Sequence, residues 1–158
     1  MFDLINGLPV HVLVVHGVVV LLPLAVLGTL AIAVRPSWRT TYGWLVVGVA
    51  AVATALVPIA TSSGEALEER VGNPGEHAEL GDQLIYFAVP LLVLALALVV
   101  LERRRAAGRS AIGPKALPAI VAGLAVVAAL ATTVQVYRVG DSGARAAWAD
   151  QVSSGSGS

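Results

Sequence analysis

The chain lacks cysteine and has few charged residues. Without cysteine it can form no disulfide, no thiolate-ligated iron–sulfur cluster and no covalent attachment to a c-type haem. Only 13% of its 158 residues are charged, whereas 57% are hydrophobic, and this leaves too little polar surface to cover a water-soluble globule. Acidic and basic residues balance at ten each, so no net charge favours nucleic acid. The composition indicates an integral membrane protein.

Long hydrophobic runs dominate what is present. No Asp, Glu, Lys or Arg occurs within residues 4–34, 40–64, 83–101 and 116–137. About 20 apolar residues in a helix cross a hydrocarbon core of ~30 Å, and a helix satisfies its own backbone there. The pattern predicts an all-α membrane four-helix bundle of two helical hairpins. We expect one domain over residues 1–152, with helices near 9–34, 40–61, 82–101 and 116–138, an outer acidic loop at 62–81, and a linker or tag remnant at 153–158.

Charge is sorted between the two ends of these helices. The connections after the first and third spans hold seven of the ten basic residues, and most acidic residues lie at the opposite end. The positive-inside rule therefore places both termini and the acidic loop on the outer side. Within that loop, Ser62 and Glu65 have the spacing of a capping box, which predicts a separate short helix ended by the Gly72–Gly75 turn.

The three histidines, His11, His16 and His77, all fall on the outer half. His16 lies inside an apolar stretch, where an ionisable side chain is costly, so we expect it to face the bundle interior; a hydrogen bond to a backbone carbonyl or to Gln135 is the alternative. His11 and His16 are about 140° apart around a helix and do not share a face. His77 opens the third span.

A faint internal repeat relates the two halves of the chain. A shift of 67 positions aligns Pro23 with Pro90 and Arg35 with Glu102, and brings His77 within one position of His11. A parallel repeat of two hairpins places the outer ends of the first and third spans in equivalent positions.

Several motifs carry a resemblance to a known family. They are Leu8-Pro9-x-His11-x4-His16, Ser63-Gly64-Glu65, His77-Ala78-x-Leu80-Gly81-Asp82 and Val139-Gly140-Asp141-Ser142-Gly143-Ala144-x-Ala146. Over roughly residues 5 to 150 the chain resembles small four-helix bacterial membrane proteins of unknown function, which sometimes accompany Rieske-type proteins and are similar in outline to b-type cytochromes. The resemblance implies a multi-pass protein of a bacterial plasma membrane.

Two chemistries fit the outer residues. A haem b needs two imidazoles on different helices, and a divalent metal such as zinc, iron or copper needs three or four N or O ligands. The candidates for cofactor binding are His11, His16, His77, Arg138 and Arg145, where an arginine after the last span turns back to a haem propionate or to the acidic loop. The candidates for metal binding are His11, His16, His77, Glu65 and Asp82.

No Ser-His-Asp spacing, phosphate-binding glycine loop or paired intramembrane carboxylates are present, which argues against a conventional hydrolase, kinase or proton pump. The leading hypothesis is a non-enzymatic haem- or metal-binding module for electron transfer or metal handling. The partners expected for it are other membrane or redox subunits, or further copies of this chain in a homo-oligomer. The alternatives are a cofactor-free structural or assembly subunit of a larger membrane complex and a small transporter.

Overall fold

Helices account for most of the described chain. The computed structural model describes residues 4–5, 8–71, 75–110 and 112–155. Its helices are α1 (Val10–Val34), α2 (Ser37–Val71), α3 (Glu76–Gln83), α4 (Ile85–Ala106) and α5 (Leu117–Gly155). Before α1, the two-residue strands β1 (Leu4–Ile5) and β2 (Leu8–Pro9) pair in antiparallel fashion. The all-helical prediction did not include this strand pair, and it placed residues 76–81, which belong to α3, in the outer acidic loop.

The helices include four candidate membrane spans, the number that the sequence predicts. Among the described residues, four segments are long and apolar enough to cross a bilayer: His11–Val34, Ser37–Ala66, Glu76–Ala106 and Leu117–Ala146. The third combines α3 and α4. Because an apolar segment in lipid must pair all its backbone groups internally, each charge-free run in the sequence becomes a helix.

The second span extends well beyond the predicted end at residue 61. Helix α2 continues to Val71, so residues 62–71 form neither a loop nor a separate short helix. Thr61 and Ser63 donate their hydroxyls to the carbonyls of Pro58 and Ala60, at 3.1 and 2.9 Å. Bonds of this kind, from a side chain to a carbonyl one turn earlier, belong inside a helix rather than at its start. Residues 72–74, which the sequence predicts to end the short helix, lie outside the described residues.

The last span is also longer than the sequence predicts. Helix α5 runs on from residue 138 to Gly155, and it therefore includes the turn expected after Tyr137 and part of the Ser/Gly end. Alanine is frequent between residues 144 and 149, and alanine is the strongest helix former. Residues 156–158 of the expected linker remnant lie outside the described residues.

The four long helices form a ring. Helices α1 and α4 each pack against both α2 and α5, so α1 and α4 occupy opposite corners. Alanines allow close approach at the centre, where Ala25, Ala53, Ala95 and Ala129 are fully buried. The outward faces are covered by exposed aliphatic side chains: Leu24, Leu27, Val127 and Leu130. Such a surface suits lipid rather than water.

A buried arginine joins the first two helices to α4. Pro36 disfavours a helical conformation of Arg35, and α1 ends at Val34. Arg39, on the first turns of α2, donates through Nε to the carbonyl of Ile32 at 2.7 Å and through Nη2 to that of Ala33 at 3.0 Å. These are among the last carbonyls of α1, which have no intrahelical donor. Nη1 of Arg39 lies 3.3 Å from Oε2 of Glu102 on α4.

Candidate functional site

The imidazole of His11, near the start of α1, is hydrogen-bonded to the C-terminal part of α2. Its Nδ1 atom lies 2.9 Å from the carbonyl oxygen of Ala60 and 3.3 Å from Oγ of Ser63. The Ser63 hydroxyl itself donates to the Ala60 carbonyl. Both neighbours of Nδ1 therefore act as acceptors, and Nδ1 must carry the proton. In the neutral imidazole this leaves the lone pair on Nε2.

His77 on α3 has the same surroundings on α5. Its Nδ1 atom lies 3.1 Å from the carbonyl oxygen of Val139 and 3.3 Å from Oγ of Ser142, and the Ser142 hydroxyl donates to the Val139 carbonyl at 3.0 Å. Because both of these neighbours act as acceptors, Nδ1 of His77 carries the proton, as Nδ1 of His11 does. Within the described part of the chain, Nε2 of neither histidine makes a hydrogen bond.

A glycine follows each serine and makes room for the imidazole. A Cβ atom on Gly64 would lie 3.1 Å from Cε1 of His11, and one on Gly143 would lie 2.9 Å from Cε1 of His77. The contact at Gly143 is shorter than real Cβ atoms make, and the contact at Gly64 is tighter than most of them make. A larger residue at either position would therefore require the imidazole ring to move.

These contacts show the internal repeat in three dimensions. His77 follows His11 by 66 positions, whereas Ser142-Gly143 follows Ser63-Gly64 by 79 positions. The two shifts differ because the chain from His77 to the start of α5 is longer than that from His11 to the start of α2, both in its helices and in its connection (107–116 against 35–36). A single shift of the sequence by 67 positions brings the histidines within one position of each other but leaves the serines twelve positions apart.

The serines and glycines are the site residues that sequence reasoning did not single out for a role. The sequence analysis includes four of them only within longer motifs: Ser63, Gly64, Ser142 and Gly143. The available signal was the recurrence of Ser-Gly at the outer ends of the second and fourth spans, at a shift different from that of the histidines.

His16 lies apart from this arrangement. Its side chain is exposed, and its Nδ1 atom bonds to the carbonyl of Val12 one turn earlier on α1. The interior position expected for His16 is therefore taken by His11, because the two residues lie on different faces of α1. The bond to a backbone carbonyl matches the alternative expectation for this residue.

The charged candidates are also exposed. Glu65, Asp82 and Arg138 are open to the surroundings, and Arg145 pairs with Asp141 on its own helix at 2.9 Å. No three His, Cys, Asp or Glu side chains come together in the described ranges in a way that could hold a metal ion. The structure thus gives His11 and His77 similar surroundings, His11 against α2 and His77 against α5. The other predicted ligands lie outside these two environments.

Gln135 fixes the segment that carries His77. The backbone breaks its regular helical pattern between α3 and α4, where the N–H of Leu84 bonds to the carbonyl of Gly81. The side-chain amide of Gln135, only 2% exposed, donates to the carbonyl of Leu80 at 2.9 Å. This bond ties α3 to the same helix that holds the His77 ring.

Fold and sequence together define the class of protein. Four spanning helices that pack into a ring make the chain a multi-pass integral membrane protein. Residues 7–155 match the model of the family described as predicted membrane protein (DUF2231), and the chain belongs to that family. This confirms the expected membrane family of unknown function. Neither curated proteins nor solved structures gave a match.

Proposed function

We propose that this protein binds a b-type haem through His11 and His77 and transfers electrons in the membrane. The observation that carries the proposal is the matching state of the two imidazoles. In each, Nδ1 donates to a backbone carbonyl and a serine hydroxyl, and Nε2 keeps its lone pair. Ligating histidines commonly have this second hydrogen bond, because it fixes the ring and raises the basicity of the other nitrogen.

The number of available ligands favours haem over a bare metal ion. A protein zinc site uses three or four side-chain ligands, and the described residues offer no group of three. A porphyrin supplies four nitrogens itself, so two imidazoles complete the coordination of its iron. His11 lies on α1, and His77 lies on α3, which leads directly into α4 at the opposite corner of the ring. Helix bundles hold cofactors between side chains of facing helices.

The first test is the absorption spectrum of the detergent-purified protein after expression with a haem precursor. We expect a Soret band and, after dithionite reduction, the sharp α and β bands of low-spin haem with two imidazole ligands. His11→Ala and His77→Ala each remove one ligand, so both variants should lose the low-spin bands. Free imidazole added to either variant should restore them if the fold is kept.

His16→Ala is the matched control, because it removes the same side chain from an exposed position on α1. It should keep the wild-type spectrum. A protein without a Soret band under these conditions contradicts haem binding. Elemental analysis then distinguishes the two remaining cases. A metal-ion site would hold one ion per chain and lose it in the His11 and His77 variants. A cofactor-free bundle, in which the two imidazoles only join helices, would hold none.

A further inference from the structure

Basic residues crowd the opposite end of the bundle, around the connection between α4 and α5. A cavity of about 480 Å³ opens there, lined by the basic side chains Arg104, Arg105, Arg109 and Lys115 together with Glu102 and Ser110. Sites for small molecules typically measure ~300–1,000 Å³. The connection is shaped by Gly108 and Gly113, which have φ values of 63° and 72°.

The basic side chains at this end divide into two sets. Those outside the cavity have partners: Arg35 lies 5.0 Å from the ring centre of Trp38, Arg103 lies 5.7 Å from that of Trp44, and Arg39 pairs with Glu102. The four that line the cavity have no ion pair, hydrogen bond or aromatic contact of their side chains with any described residue. One of them is also partly enclosed, since Nε of Arg104 is buried and has no hydrogen-bond partner among the described residues.

Glu102 does not neutralise this set, because its carboxylate is already engaged by Arg39. Four cations around one concave surface repel each other unless an anion enters. The cavity lies where the apolar spans end, at Ala106 and Leu117, and exposed Trp38, Tyr42 and Trp44 lie at the same end of the bundle. Aromatic side chains of this kind mark the level of lipid headgroups.

We propose that this cavity binds the phosphate of an anionic phospholipid. Arginine and lysine bind phosphate through charge-assisted hydrogen bonds, and basic pockets between membrane helices bind acidic headgroups. The acyl chains then follow the aliphatic outer faces of α4 and α5. The site is independent of the histidines at the other end of the bundle and of the function proposed for them.

The test is titration of the detergent-purified protein with phosphatidylglycerol, followed by native mass spectrometry. The wild type should retain one phosphatidylglycerol and bind zwitterionic phosphatidylcholine at least about tenfold more weakly, because only the former has an uncompensated phosphate charge. Inorganic phosphate and glycerol phosphate are the soluble probes. If either binds as tightly as the lipid, the cavity takes a free anion and the lipid proposal is overturned.

Two double variants remove equal charge from the same end. R104Q/R109Q changes the cavity, whereas R35Q/R103Q changes arginines that already have aromatic partners. The cavity variant should bind phosphatidylglycerol at least about tenfold more weakly than the control, because it alone loses hydrogen bonds to the phosphate. Equal losses in both variants would show general attraction to the surface and overturn the site. If R104Q/R109Q does not fold, R105Q/K115Q replaces it, since both of those side chains are exposed.

Discussion

The imidazole of His77 lies so close to Gly143 that a Cβ atom on that residue would be 2.9 Å from Cε1. Gly64 stands in nearly the same relation to His11, at 3.1 Å. The two halves of the chain thus use one device, in which a histidine from one helix lies against a Ser-Gly step of the next helix. The repeat in the sequence is faint because the histidines and the Ser-Gly steps recur at two different shifts, and most other positions in the spans need only be apolar.

Gly143→Ala should push the His77 ring away from its acceptors on α5. In an otherwise neutral setting, alanine stabilises a helix by about 0.5–1 kcal/mol relative to glycine. We expect this gain to be cancelled by the loss of a hydrogen bond that contributes about 1 kcal/mol. Unfolding in mixed detergent micelles measures the difference in the free energy of unfolding between this variant and the wild type.

Gly140→Ala is the control for this variant, because a Cβ atom there would meet no atom of the described residues within 4 Å. It should raise the free energy of unfolding by about 0.5–1 kcal/mol. Equal stabilisation by both substitutions would contradict the close contact with His77. If haem is bound, Gly143→Ala should also alter the reduced spectrum, and Gly140→Ala should not.

Arg39→Met should lower the free energy of unfolding by about 3–5 kcal/mol, the range for breaking a buried charge pair from one side. The Arg39 side chain is only 6% exposed and bonds to Ile32, Ala33 and Glu102. Glu102→Gln should cost less, because an amide oxygen still accepts from Nη1 and the guanidinium keeps its two carbonyl acceptors at the end of α1. Thermal unfolding in detergent shows which of the two substitutions destabilises the protein more. Similar losses for both substitutions would mean that the ion pair, rather than the bonds to the end of α1, dominates.

Gln135→Leu should destabilise the protein by about 1–3 kcal/mol, because it leaves the carbonyl of Leu80 without the side-chain amide that donates to it. It should also loosen α3 and speed hydrogen exchange of its backbone amides. Thr133→Val on the same helix is the comparison, since its hydroxyl is exposed and bonds only to Ala129 one turn earlier. An equally large effect at Thr133 would contradict a special role for the break between α3 and α4.

The distribution of charge predicts that both termini face outward. The absence of cysteine in the chain makes single-cysteine labelling unambiguous. In intact cells an impermeant maleimide should label Glu76→Cys and not Ser110→Cys, and both positions are exposed in the structure. In inverted vesicles the pattern should reverse. Labelling of Ser110→Cys from outside would show the opposite orientation.

The sequence located the spans better than it located the helix ends. Hydropathy reports where a helix leaves the apolar part of the bilayer, at about 20 residues, but α2 and α5 continue far beyond that level. Past it, the course of the backbone depends on helix propensity and on hydroxyls such as that of Ser63, which bond back to a carbonyl. These local features weigh little in a hydropathy pattern.

The number of membrane spans and the sorting of charge between their ends are already fixed by the amino-acid sequence, because each helix in lipid must satisfy its own backbone and each span depends only on its own residues. The contacts of the site needed the folded chain: only there does His11 rather than His16 reach the neighbouring helix, and only there do Ser63 and Ser142 contact the two histidines. It also paired Arg39 with Glu102. Such contacts depend on how each helix is rotated and which helices are neighbours in the ring, and packing between residues far apart in the chain sets both.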